Sequence, residues 1–175
     1  MGQVLVVAYS YTGTARRVAE RLCSQQGWRL AEIAEVRPRS GASGSLRCLL
    51  DSLFRRRPAI NYDGPLPRNF DTVVLVSPIW GLRLAGPMRS FVARRRDHLP
   101  DVAVISVMGG RGAPNAVAEI SQLTGRPPIL STAFTMQEVD DGSFAERLQA
   151  FGTALRGARD SRPVVRAGTL SPHVA

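Results

Sequence analysis

Three hydroxyl side chains, Ser10, Thr12 and Thr14, alternate with Tyr11, Gly13 and Ala15. Hydroxyls at every second position around one glycine suit the donation of hydrogen bonds to an anion. The stretch follows Val4 to Tyr9, an apolar run rich in valine that reads as a buried parallel strand. It leads into Ala15, Val18, Ala19, Leu22 and Cys23, which recur at helical spacing. Strand, hydroxyl-rich turn and helix aim backbone N–H groups and the positive end of a helix dipole at one point. A phosphate is the natural occupant of such a pocket. The alternative is a hydroxyl-rich turn that caps its helix and binds nothing.

Two further loops have unusual composition. Pro78, Ile79, Trp80 and Gly81 follow an apolar strand, and Gly81 removes side-chain bulk beside the indole. Trp80 can therefore stack on a flat heteroaromatic ring, or else fold back into the core. Met108, Gly109, Gly110, Arg111, Gly112 and Ala113 follow the next strand. Glycines there let the backbone come close to a ligand, or simply make a turn. Arg111 offsets negative charge on a bound ring or else faces solvent.

The residues that are missing exclude other chemistry. All 23 basic residues are arginine, so a P-loop lysine and a Schiff base are ruled out. His98 and His173 lie at a helix end and in the tail, and no acid–base dyad is expected. Two histidines with Cys23 and Cys48 make no metal-ligand spacing. There is no complete G-x-G-x-x-G motif. Both cysteines fall on apolar helix faces, which fits reduced thiols in the cytoplasm rather than a disulfide. The net charge of +9 comes from arginines spread along the chain in short clusters. Such scatter reads as solvated faces rather than a nucleic-acid patch. No apolar run approaches the roughly 20 residues of a membrane span, and no export signal is read at the N-terminus.

The elements that must position these loops can be read in order. Strands are expected over Val4–Tyr9, Arg29–Val36, Thr72–Ser77, Val102–Val107 and Ile129–Thr135. Pro78 is expected to close the third strand. Helices are expected from Ala15, over Leu46–Phe54, Leu84–Arg96 and Asn115–Leu123, and from Ser143 onward, where Ser143 and Glu146 have capping-box spacing. Prolines between Asn61 and Phe70 forbid a central strand there. The pattern is an α/β fold, a parallel sheet with helices on both faces. Residues 1–157 form one domain, and 158–175 form a basic, mobile tail. All three loops follow strands at one end of the sheet, where ligands of such folds bind.

With these motifs in place, the chain resembles the flavodoxin-like FMN-binding family. Tyr9-Ser10-Tyr11-Thr12-Gly13-Thr14 resembles its phosphate loop. Ser77-Pro78-Ile79-Trp80-Gly81, with Pro87, Arg89, Ser90 and Phe91, resembles its second flavin loop and the helix after it. Met108-Gly109-Gly110-Arg111-Gly112-Ala113 resembles its third. The resemblance implies a three-layer sandwich with five parallel strands in the order 2-1-3-4-5. That order is flavodoxin's own, for which ligand binding at the point of strand-order reversal is already established. It also implies non-covalent FMN, with the phosphate on Ser10 to Thr14 and the ring near Trp80 and Gly109-Gly110. Ala15 stands where the family usually has threonine, which removes one phosphate donor worth about 1.5–3 kcal/mol. The implied function is that of a flavoprotein oxidoreductase, with NAD(P)H and a quinone or redox protein as partners, acting as a monomer or homodimer. An electron carrier without its own substrate is the alternative. Dedicated carriers of the family are acidic, so this basic chain would need an acidic partner. A non-enzymatic basic binding module is a third reading.

Overall fold

The computed structural model describes residues 3–37, 44, 50, 51 and 54–160 of the 175-residue chain. Its strands are β1 (Val4–Ala8), β2 (Arg29–Glu35), β3 (Ile60–Tyr62), β4 (Thr72–Trp80), β5 (Arg83–Leu84), β6 (Asp101–Met108) and β7 (Leu130–Thr135). Its helices are α1 (Thr14–Gln26), α2 (Gly86–Arg95), α3 (Ala113–Thr124), α4 (Met136–Asp141) and α5 (Ala145–Asp160). Among the described residues, no helix is long and apolar enough to cross a membrane.

The sheet runs β3-β2-β1-β4-β6-β7, with β5 paired to β4. Its five long strands are parallel and stand in the expected order 2-1-3-4-5. Alternate residues of each strand feed two cores. Val4, Val6, Val74, Val76 and Ile105 pack under α1 and α5, against Val18, Leu22, Leu148 and Leu155. Leu5, Val7, Val73, Leu75 and Val104 pack under α2 and α3, against Met88, Phe91 and Ile120. The result is the three-layer sandwich.

The sheet has seven strands rather than five. β3 adds an antiparallel edge to β2 just before the proline-rich stretch, and β5 folds back on β4 as a two-residue hairpin arm. Three and two residues are too short to leave a periodic signal. The third strand is also longer than expected, because Pro78 does not close it. β1 ends opposite Val76, so Pro78 lies beyond that neighbour and a residue without N–H is tolerated. Pro78, Ile79 and Trp80 therefore belong to a strand, and only Gly81 and Leu82 form the turn.

The last helix begins at Ala145, two residues past Ser143. The capping box forms earlier, between Thr135 and Glu138 at the start of α4. There Thr135 Oγ1 accepts from the Glu138 N–H, and the Thr135 N–H donates to Glu138 Oε2. Cys23 is half-buried and unbridged, and burial pushes its thiol up to about 12, with Glu20 adding to the effect. Cys48, most of the expected helix over Leu46–Phe54, His173 and the tail beyond Asp160 lie outside the described residues.

Candidate functional site

The carboxyl ends of β1, β4 and β6 meet at one rim, beside the β1–β4 boundary where the strand order reverses. α1 starts there without a cap. Its N-cap is Gly13, with φ 90°, so no side chain accepts from the first turn, and that turn carries no acidic residue. The first helical bond runs from the Arg17 N–H to the Gly13 carbonyl. The N–H groups before it have no intrahelical acceptor, and the dipole leaves positive potential around them. Ser10 Oγ is buried beside this helix end without a hydrogen-bond partner. A buried hydroxyl left unpaired costs about 1–3 kcal/mol, which a ligand acceptor would recover. Thr12 and Thr14 bring their hydroxyls within 3.3 Å of each other.

Trp80 stands at the end of β4, with Tyr9 edge-on at 5.6 Å and Tyr11 edge-on at 6.1 Å. Tyr9 is itself fixed by donating to Glu35 Oε1 at 2.5 Å. Two T-shaped contacts hold the indole in place at the rim instead of letting it sink into the core.

A cleft of about 90 Å³, or about 410 Å³ with its open mouth, joins all three loops. Ser10, Tyr11, Thr12, Thr14 and Ala15 line it from the first. Pro78, Ile79 and Trp80 line it from the second, and Met108 and Gly109 from the third. The other four residues singled out by sequence do not line it. Gly13 is the N-cap of α1, Gly81 is in the β4–β5 turn, and Gly110 lies outside the lining. Gly112 is the N-cap of α3, pressed against Leu82 and Ile79. Arg111 is exposed. Val107 and Met136 complete the lining and were not foreseen. Met136 is brought in by α4, whose Thr135–Glu138 capping spacing was present in the sequence and could have revealed it. Among the described residues, no acidic, histidine, cysteine or arginine side chain lines the cleft, so its chemistry is that of an anion cradle beside an aromatic wall.

The β4–β5 turn carries strain. Gly81 and Leu82 have φ of 53° and 64°, and two positive φ values are what a tight primed hairpin turn requires. Leucine is a poor choice there, and half of Leu82 is exposed, so little packing compensates. Leu82→Asn is expected to raise stability by about 0.5–1 kcal/mol, measured by urea unfolding of the unliganded protein.

No family model matches the chain, and no curated protein matches it. Solved structures do match. A flavoprotein from Lactobacillus acidophilus NCFM in complex with FMN is 22% identical, with 82% of this chain and 99% of that chain covered and a TM-score of 0.67. A WrbA-like flavodoxin from Agrobacterium tumefaciens is 11% identical, with 93% and 100% covered and a TM-score of 0.55. A Fusobacterium nucleatum flavodoxin bound to flavin mononucleotide is 8% identical, with 90% and 98% covered and a TM-score of 0.55. The fold is flavodoxin-like, and identities this low carry the fold alone.

Proposed function

We propose that the rim cleft holds FMN non-covalently and that the protein is an oxidoreductase working through it. The observation that supports this best is the buried, unpartnered Ser10 hydroxyl at the uncapped start of α1. The donor set suits a phosphate: the hydroxyls of Ser10, Thr12 and Thr14 and the first N–H groups of α1. Trp80 and Gly109 would meet the flavin ring. Two neighbours of the same fold are described as FMN complexes, which agrees with this choice. Bound FMN would supply the redox chemistry. The chain would supply position, an aromatic wall and a cradle with no acidic side chain in its lining. The reading treats NAD(P)H as the donor and a quinone as the acceptor.

The absorption spectrum of purified protein, alone and after FMN addition, tests the cofactor. A flavin spectrum that survives gel filtration is the expected result, and a colourless protein that refuses FMN removes the reading. Turnover of NADH or NADPH with a quinone then separates an enzyme from a carrier serving an acidic redox protein.

Ser10→Ala gives a sharper result because its two effects have opposite signs. Removing an unpaired buried hydroxyl should leave the unliganded protein unchanged or more stable, by about 1 kcal/mol. Removing a phosphate donor should weaken FMN by about 1.5–3 kcal/mol, roughly ten- to hundredfold in Kd. Equal FMN affinity in both proteins would place the phosphate elsewhere.

A further inference from the structure

On the far side of the β4–β5 turn lies a larger cavity, about 440 Å³, between the turn and α3. We infer that it binds a small organic anion, held by Arg55 and Arg83. Among the described residues, the charges facing it are Arg55, Arg83 and Glu119. Glu119 is cancelled by the buried Arg89, which donates to both of its carboxylate oxygens. Arg55 and Arg83 have no hydrogen-bond or ion-pair partner among the described residues. The cavity therefore carries two guanidinium groups without a carboxylate partner among the described residues, a charge suited to a carboxylate ligand. Gln122 adds an unpartnered amide on the same wall, and Leu82 supplies an apolar surface for the body of the ligand. The volume falls in the range of small-molecule sites.

Two tight turns border the same place. Among the described residues, the two non-glycine positions with positive φ are Arg55 at 49° and Leu82 at 64°, and both line this cavity. Local turns hold both: the β4–β5 hairpin sets Leu82, and the bond from the Arg56 N–H to the Asp51 carbonyl closes a turn over Arg55. Asn115 ties the wall together by donating from Nδ2 to the Leu82 carbonyl. Leu82 follows Trp80 by two residues, so an occupant of this cavity presses on the turn that carries the rim indole.

The proposal is independent of the flavin reading, and its test uses unliganded full-length protein. Isophthalate is titrated by calorimetry and by tryptophan fluorescence, with neutral isophthalamide as the isosteric control. Isophthalate should bind at one site with a Kd below about 1 mM at low salt, and isophthalamide should not. Added salt should weaken the binding. Arg55→Ala and Arg83→Ala should each weaken it by about fivefold or more, with circular dichroism showing intact folds and Arg83→Gln repeating the loss. No isophthalate binding, equal binding of the diamide, or affinity unmoved by both arginine variants would overturn the assignment.

Discussion

Arg89→Met is expected to cost about 3–5 kcal/mol of folding stability, a large part of the roughly 5–15 kcal/mol that holds a domain together. Arg89 is 1% exposed and every part of its guanidinium is used. Nε and Nη2 donate to the two carboxylate oxygens of Glu119 on α3. Nη1 donates to the carbonyls of Asp51 at 3.1 Å and Arg56 at 3.0 Å, and Nη2 to that of Leu84 at 2.8 Å. One side chain on α2 thus ties together α3, Asp51, Arg56 and β5. Methionine fills much of the volume but leaves a buried carboxylate and the carbonyls of Arg56 and Leu84 without these donors, while the Asp51 carbonyl keeps the Arg56 N–H at 2.8 Å. Urea unfolding measures the loss.

The double variant Arg89→Met with Glu119→Leu separates charge from scaffolding. Where a buried ion pair serves only itself, an apolar replacement of both partners is neutral or stabilising. Here the Arg56 and Leu84 carbonyls still lack the guanidinium donors after the charges are gone. The double variant should recover part of the loss and stay below the wild type by about 1–3 kcal/mol. Full recovery would mean that the carbonyl contacts contribute nothing.

That network was illegible in the sequence for a physical reason. Arg89 and Glu119 are thirty residues apart, and the family resemblance that includes Arg89 says nothing of a partner on α3. Arg89 sits within Gly86 to Val92, every residue of which is buried, and only the folded chain shows it. By contrast, the valine-rich strands were readable, because a parallel sheet covered on both faces needs continuous apolar runs. Ser10 to Ala15 were readable because strand, glycine and helix follow each other without interruption. Pro78 misled because a proline ends a strand only where both neighbours continue, and β1 had already ended opposite Val76. Ser143 misled because it lies in the turn between two helices: Gly142 caps the end of α4, the Ser143 N–H donates to Asp141 Oδ1 at 2.9 Å, and α5 starts only at Ala145. The composition of the three loops marks them as one site, but which glycine does what depends on contacts across the fold.

Gly112 carries the second large effect. Its φ of 110° is a conformation that side chains rarely adopt, and a Cβ there would lie 2.7 Å from Leu82 Cα and 2.8 Å from Ile79 Cγ2. One of these is backbone and cannot swing aside. Backbone strain and overpacking add, each worth about 1–3 kcal/mol, so Gly112→Ala is expected to lose about 2–5 kcal/mol. The displaced atoms belong to the end of β4 and its turn, which hold Trp80 and Ile79 in the cleft wall. FMN affinity should therefore fall with stability, although Gly112 itself does not line the cleft. Gly110→Ala is the matched control, since a Cβ there meets nothing within 4 Å. It should stay within about 0.5 kcal/mol of the wild type. Equal unfolding midpoints for the two alanine variants would show that the turn does not rest on Gly112. A destabilised Gly112→Ala protein with unchanged FMN affinity would show that the wall it supports is not the one the flavin touches.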